Sequence, residues 1–317
     1  MLKNNIILII GGTGSLGNIL TKYLYNDNKI IILSRDENKQ WSMKINYPTV
    51  TFVLGDMRNI DSISMCIRQY KPDIVIIAGA LKHIDICEYN ISECIETNIL
   101  GTRNIIDSVI NLSDYHKIDT VLFISTDKSC SPVNVYGMSK SISERLIIAA
   151  SLKKLDTKFV CVRYGNVLNS RGSLIPKFKD ISEDANHLYY PITDDKMTRF
   201  FMTLDESFNL ILNAIKNGTS GDIWVPKINA YKIKDIAIFF SNKYNKPIKN
   251  IDIRPGEKIH ECLINQSETN RTLEIMLNDK IYYVIKPCYI ENIKYQFLTK
   301  EYTSEETTNI NNLIKFL

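Results

Sequence analysis

Four side chains able to hold or move a proton fall within fourteen residues of the segment STDKSCSPVNVYGMSK, positions 125–140: Asp127, Lys128, Tyr136 and Lys140. Tyr136 and Lys140 are one helical turn apart, so on a helix they share a face. An ammonium near a phenol favours the phenolate and lowers the tyrosine pKa, which would make Tyr136 a base for a hydroxyl undergoing oxidation. Asp127 and Lys128 add a second acid and a second base. A lysine is a base only when neutral, a state that burial and nearby positive charge favour. An aspartate is an acid only when protonated, or when it shares a proton with a neighbour. Simple alcohol oxidation does not use both pairs, so the second pair implies a further proton-transfer step.

The segment follows the apolar run Val121–Ile124. Strand candidates at 5–11, 29–34, 50–55, 73–78, 120–125 and 158–163 are apolar on both faces, as parallel strands covered by helices on each side must be. Helical patterns at 15–26, 60–70, 91–112 and 135–153 lie between them. This rhythm predicts an α/β fold, a Rossmann-type doubly wound parallel sheet, with the active site along the edge where the strands end. After about residue 166 the pattern becomes loop-rich, interrupted by a helical stretch at 204–216. The expected division is a dinucleotide-binding domain over 1–165, to which parts of 200–225 return, and a smaller C-terminal substrate-binding domain over 166–317.

Between the first strand and the first helix, IIGGTGSLG sets Gly11, Gly14 and Gly17 in a G-x-x-G-x-x-G frame. Such a loop lets backbone N–H groups approach a pyrophosphate at the helix N-terminus. Thr13, Ser15 and Leu16 belong to the same cradle, and Met57 and Ala78, just past the third and fourth strands, are expected to line the cofactor with them. The second strand ends Leu33-Ser34-Arg35-Asp36. A small hydroxyl residue, with Arg35 beside it, stands where a carboxylate would bind the ribose of NAD, so NADP is the expected cofactor; Asp36 leaves NAD as the competing reading. Asp56 is a candidate acceptor for the adenine amino group, or else a helix N-cap.

Bulk properties narrow the class further. The 317 residues are 44% hydrophobic and 23% charged, ordinary for a globular protein, and a net charge of +4 with no basic tract argues against a nucleic-acid partner. Seven cysteines without a C-x-x-C pair read as reduced, mostly buried thiols in a cytoplasmic protein. The apolar start MLKNNIILIIGGTG is too short to span a bilayer, so no membrane association is expected. The four histidines show no metal-ligand spacing, and no metal is expected.

A glycine loop followed by Tyr136-x-x-x-Lys140 resembles the extended short-chain dehydrogenase/reductase superfamily. Within it, the segments SRDENKQ, AGALKHIDICEYN, STDKSCSPVNVYGMSK, VRYGNVLNSRGSLIP, PITDDKMTRF, VPKI and IRPGEKIHE, in order from residue 10 to about 261, resemble the soluble, C5-inverting UDP-N-acetylglucosamine 4,6-dehydratases. Gly79 replaces the alanine usual in relatives, and Ser129-Cys130-Ser131 varies a linker. The related dTDP-glucose dehydratases carry Asp-Glu at the Asp127-Lys128 position, and sugar 4-epimerases carry small uncharged residues.

The resemblance implies roles. Tyr136 takes the proton of the sugar 4-hydroxyl while hydride passes to NADP, and Lys140 binds the nicotinamide ribose. The C4 ketone acidifies C5–H, which Lys128 removes while Asp127 protonates the departing C6 hydroxyl. Asn166 is expected on the sugar or its diphosphate, Arg199 and Arg254 on the UDP phosphates, and Glu257 on the uridine ribose. Lys82, Arg171 and Ser173 are further substrate contacts, and Asn98 a structural bracket. A homo-oligomer, up to a hexamer, is implied. Two other readings stay open: a UDP-sugar 4-epimerase, which needs only Tyr136 and Lys140, and a non-catalytic NADP-sensing regulator.

Overall fold

The structure is a computed structural model and describes residues 1–153, 155–290 and 298–317. Six apolar runs of the first half form β1 (Ile6–Ile10), β2 (Lys29–Ser34), β3 (Thr51–Leu54), β4 (Ile74–Ile77), β5 (Thr120–Ile124) and β6 (Lys158–Val162). They pair in parallel in the order β3-β2-β1-β4-β5-β6. Successive residues serve opposite faces: Leu8, Ile10, Val75 and Ile77 enter one core, and Ile7, Ile9, Ile74 and Ile76 the other. This two-sided burial is why the runs do not alternate with polar residues. The order reverses between β1 and β4, which opens a ligand crevice beyond their C-terminal ends.

Three further strands come from the second half. Ile223–Pro226 pairs in parallel with β6, and the hairpin Thr272–Leu277/Lys280–Ile285 adds two antiparallel strands beyond it, giving nine. The strand rhythm of the first half does not predict this hairpin. Its local signal is Asn278-Asp279, both at positive φ, the chemistry of a two-residue hairpin turn. The helix Leu204–Asn217, started by a Thr203–Glu206 capping box, sends Phe208, Ile211 and Ile215 into the core of the main sheet. The rest of the second half has its own core around Phe178, Tyr190, Phe201, Tyr231 and Phe240. None of the described helices is long and apolar enough to cross a membrane.

The stretch 91–112, which reads as one helix, is broken into Ile91–Cys94, a π-helical turn Ile95–Leu100 and Gly101–Asn111. The widened turn carries Asn98, whose Oδ1 accepts from Leu81 N–H (2.8 Å) while its Nδ2 donates to Leu81 O (3.0 Å) and Ser139 Oγ (2.9 Å). Asn98 therefore brackets the loop after β4 to the helix Val135–Ala150. That is the structural role its position suggested.

Arg163, directly after β6, is 1% exposed and uses all five donors. It donates to Glu144 Oε1 (3.0 Å) and Oε2 (2.7 Å), to Glu268 Oε2 (2.8 Å) and Oε1 (3.0 Å), and to Leu263 O (2.8 Å). Ser129 joins by donating to Glu144 Oε1 at 2.7 Å. Removing one member of such a buried network leaves an uncompensated charge, a cost of about 3–5 kcal/mol. Arg163→Ala is expected to lower the unfolding free energy by about 3–5 kcal/mol, read as an earlier urea midpoint; a variant as stable as wild type in urea would show the network to be dispensable.

Candidate active site

A groove of about 760 Å³ runs along the C-terminal ends of the parallel strands. Every residue assigned to the cofactor from sequence lines it: Gly11, Thr13, Gly14, Ser15, Leu16, Gly17, Ser34, Arg35, Asp56, Met57, Ala78, Tyr136 and Lys140. So do Lys82, Lys128, Asn166, Arg171 and Ser173. Arg199, Arg254 and Glu257 are not among its lining residues, and Asp127 lies fully buried next to Lys128.

The glycine loop is shaped by contacts no side chain would permit. Gly11 sits at φ +77°, and a Cβ there would fall 2.3 Å from Gly79 Cα. A Cβ on Gly17 would fall 1.9 Å from Gly12 O. The helix Ser15–Leu24 begins at Gly14 with no side-chain cap and no acidic residue in its first turn. Its N-terminal N–H groups and positive dipole end therefore suit a phosphate at the groove.

At the end of β2, Asp36 is the N-cap of the helix Glu37–Asn46: it accepts from Lys39 N–H at 3.0 Å and pairs with the Lys39 ammonium. Ser34 is buried, its Oγ accepting from Gln40 Nε2 at 3.0 Å. Arg35 lies half-exposed, 3.8 Å from Asp56. Asp56 is not the cap of the next helix; Asn59 is, accepting from Asp61 and Ser62 N–H groups. Instead Asp56 accepts from Arg58 Nε (3.0 Å) and Nη2 (2.7 Å). Partial burial alone would raise the Asp56 pKa, but the Arg58 bonds hold it below the usual carboxylate range.

The proton-handling cluster forms because β5 ends at Ile124 and the chain turns at once through Asp127–Ser129 into the helix Val135–Ala150, which Asn134 caps through Gly137 N–H. Lys128 Nζ lies 3.0 Å from Asp127 Oδ1 and 3.3 Å from Glu261 Oε1. Thr126 Oγ1 also donates to Asp127 Oδ1, at 2.9 Å. Burial opposes the charged form of Lys128, yet Asp127 and Glu261 together outweigh it and raise its pKa above that of ordinary lysine. This corrects the expectation that its surroundings make Lys128 neutral: two carboxylates, one of them distant in sequence, face the amine. The Asp127 carboxyl is shifted toward its protonated form. Burial raises its pKa, and Glu261 adds to the rise against the opposing pull of Lys128.

The Tyr136–Lys140 pair needs a second correction. Burial pushes Tyr136 up to about 12, with Lys128, not Lys140, as the cation drawing it down. Burial pushes Lys140 down to about 7, and its Nζ stands 3.9 Å from the centre of the Phe123 ring. Helical spacing gave the shared face; it did not give the desolvation that both groups share. Burial thus favours the protonated phenol of Tyr136 over the phenolate.

Around this centre, Arg171 N–H donates to Ser15 Oγ (3.1 Å) and Lys82 Nζ donates to Arg171 O (2.6 Å), so the SRGS loop meets the glycine loop across the groove. Ser173 Oγ is buried without a hydrogen-bond partner among the described residues. Arg199 is buried, donating to Thr198 O (2.7 Å) and lying 3.7 Å from Glu261. Arg254 pairs with Glu257 on a loop held beside the cluster, where Asn134 Nδ2 donates to Gly256 O (2.7 Å) and Lys258 Nζ to Cys130 O (2.8 Å). Sequence reasoning missed Glu261 and Thr126. Glu261 stands in IRPGEKIHE and Thr126 beside Asp127, so the segments were visible while the contacts were not.

Comparison with known proteins identifies the relatives of the whole chain. The sequence pattern of the family described as polysaccharide biosynthesis protein matches residues 7–285. A UDP-N-acetylglucosamine 4,6-dehydratase (inverting) of Campylobacter jejuni subsp. jejuni serotype O:2 is 42% identical over 90% of this chain and 84% of its own. A UDP-glucose 4-epimerase of Rickettsia rickettsii is 37% identical over 98% of this chain and 94% of its own. Among solved structures, Pen from Bacillus thuringiensis superposes with a TM-score of 0.86 at 30% identity, covering 99% of both chains. A dTDP-glucose 4,6-dehydratase of Streptomyces venezuelae, at 19% identity, TM-score 0.70 and coverage of 80% of this chain and 86% of its own, shares the fold. With residues 7–285 matched and relatives 40–42% identical over 90% of its length, the chain belongs to the polysaccharide biosynthesis protein family, alongside the inverting UDP-N-acetylglucosamine 4,6-dehydratases.

Proposed function

We propose that this protein is an NADP-dependent dehydratase converting UDP-N-acetylglucosamine to a UDP-4-keto-6-deoxy sugar with inversion at C5, in the biosynthesis of a nucleotide-activated deoxysugar. The observation that carries the reading is the buried Asp127–Lys128 pair, with Lys128 opening onto the same groove as Tyr136. Oxidation and re-reduction at C4 need Tyr136 and a cofactor; a second acid and base beside them suit elimination of water.

Bound NADP would accept the C4 hydride and give it back at C6. Gly14 and the helix it starts would hold the pyrophosphate, and Arg35 with Lys39 would face a 2′-phosphate, Asp36 being taken up as a helix cap. Tyr136 takes the 4-hydroxyl proton. Lys128, once neutral, removes the proton from C5, and protonated Asp127 gives one to the departing C6 hydroxyl, so that water leaves. A proton then returns to C5 on the opposite face. Asn166, Lys82, Arg171 and Ser173 would meet the sugar and diphosphate from the groove wall. Arg199, Arg254 and Glu257 are proposed as contacts from behind the cluster and from the loop at 254–258.

Similarity to the Rickettsia epimerases favours a second reading, a UDP-sugar 4-epimerase. Exposed Met138 and Ile142, one turn apart on the helix Val135–Ala150, together with exposed Tyr89, Ile91 and Ile95, support a homo-oligomer.

Incubation with UDP-N-acetylglucosamine is expected to give a product lighter by one water, with NMR couplings of the opposite C5 configuration. An isomer of equal mass would establish the epimerase, and no change would support a cofactor-sensing role without catalysis. Lys128→Ala is expected to cut dehydration by about 10²–10⁴-fold and to slow C4 oxidation far less, through the lost pull of Lys128 on Tyr136, so reduced-nicotinamide absorbance still rises on adding substrate and persists. Tyr136→Phe should abolish both signals. Dehydration by Lys128→Ala at close to the wild-type rate would remove Lys128 from the role of base. The purified protein should release NADP(H), and Arg35→Asp should shift preference to NAD; recovery of NAD(H) alone from wild type would overturn the cofactor assignment.

A further inference from the structure

We propose that Glu261 is a positioning residue for the elimination step: as the second carboxylate on Lys128 it serves as the standing counter-ion of the ammonium, which frees Asp127 to carry a proton. This inference rests on the dehydratase reading given above.

Glu261 is 2% exposed, and its Oε1 is 3.3 Å from Lys128 Nζ. Its backbone is pinned on both sides, Glu261 N–H donating to Ser304 Oγ (2.9 Å) and Ser304 N–H donating to Glu261 O (2.8 Å). Arg199 Nε at 3.7 Å and Lys258 Nζ at 3.8 Å complete a ring of three cations around one carboxylate. Its Oε2 is buried with no hydrogen bond among the described residues, and so is Asp127 Oδ2. A buried lysine with Asp127 as its only partner would require Asp127 to be ionised, since an unpaired buried ammonium is costly. With Glu261 present the charges balance differently. Burial opposes ionisation of Glu261, but Lys128, Arg199 and Lys258 outweigh it and depress its pKa, whereas that of Asp127 is raised.

The groups facing Lys128 are Asp127 from its own turn, Glu261 and Arg199 from the second half, and Tyr136 from the following helix. His260, next to Glu261, is engaged with the Thr198 hydroxyl at 2.8 Å. Removing the Glu261 charge withdraws a stabilising partner from the Lys128 ammonium and a repelling one from the Asp127 carboxylate. Both pKa values then fall. Dehydration needs neutral Lys128 and protonated Asp127, so both limbs of its pH profile should move the same way, toward acid.

The test is the pH dependence of water loss and of C4 oxidation, measured separately on the full-length protein with cofactor bound. Glu261→Gln is expected to move the dehydration profile to lower pH by one unit or more, about a tenfold loss at a fixed pH on its alkaline limb. Glu261→Asp, which keeps the charge but draws it back by one methylene, should move the profile in the same direction by less, and its direction decides the matter should the glutamine variant not fold. The profile of C4 oxidation should move less than that of water loss in either variant. A lowered rate with an unmoved profile, or a shift toward alkaline pH, would overturn the proposal and leave Glu261 a merely structural residue. Absence of water loss in the wild-type protein would instead refute the dehydratase reading itself.

Discussion

Arg163 is the constraint on which the site depends. It leaves the sheet at the end of β6 and meets Glu144 from the helix Val135–Ala150 and Glu268 from the far end of the chain, with Leu263 O completing its five bonds. Burying a guanidinium with no exposed face is tolerable only when each N–H has an acceptor. That requirement fixes three separate segments relative to one another. The helix it holds carries Tyr136 and Lys140, the segment it holds follows Glu261, and Ser129 of the Asp127–Ser129 turn bonds the same Glu144. The relative placement of the proton-handling residues thus depends on satisfying one buried cation.

A second pattern concerns how charge is distributed at the groove. At one end, the helix N-terminus at Gly14 and the side chains of Arg35 and Lys39 make a positive field near Asp56. At the other end, charges are buried and matched: Lys128 with Asp127 and Glu261, Glu261 with Arg199 and Lys258. The first arrangement suits a phosphorylated ligand. The second suits proton transfer, because a low-dielectric setting makes small changes in charge count for large changes in proton affinity.

Much of this was legible in the sequence, for definable reasons. Short runs apolar on both faces named β1 to β6, most of them buried on both sides, with β3 at the sheet edge only partly covered. The glycine spacing located the cradle because Gly11 and Gly17 leave no room for a Cβ. Tyr136 and Lys140 share a helix, so their spacing placed them together. Local chemistry decides all of these, and local chemistry is written in consecutive residues.

What the sequence could not decide was which distant groups would face that cluster. Glu261 lies well over a hundred residues from Lys128 along the chain, and no periodicity links them; only the fold of the second half brings it to 3.3 Å. That contact raises the proton affinity of Lys128 where burial alone would lower it, and burial likewise raises that of Tyr136. The residue type of Arg199 suggested a phosphate contact, but not its burial against Glu261, which only the fold supplies. The types of the catalytic residues and the elements bearing them were set by the sequence. Their proton affinities were set by tertiary structure, because desolvation and through-space charge depend on what packs nearby and not on what is adjacent in the chain.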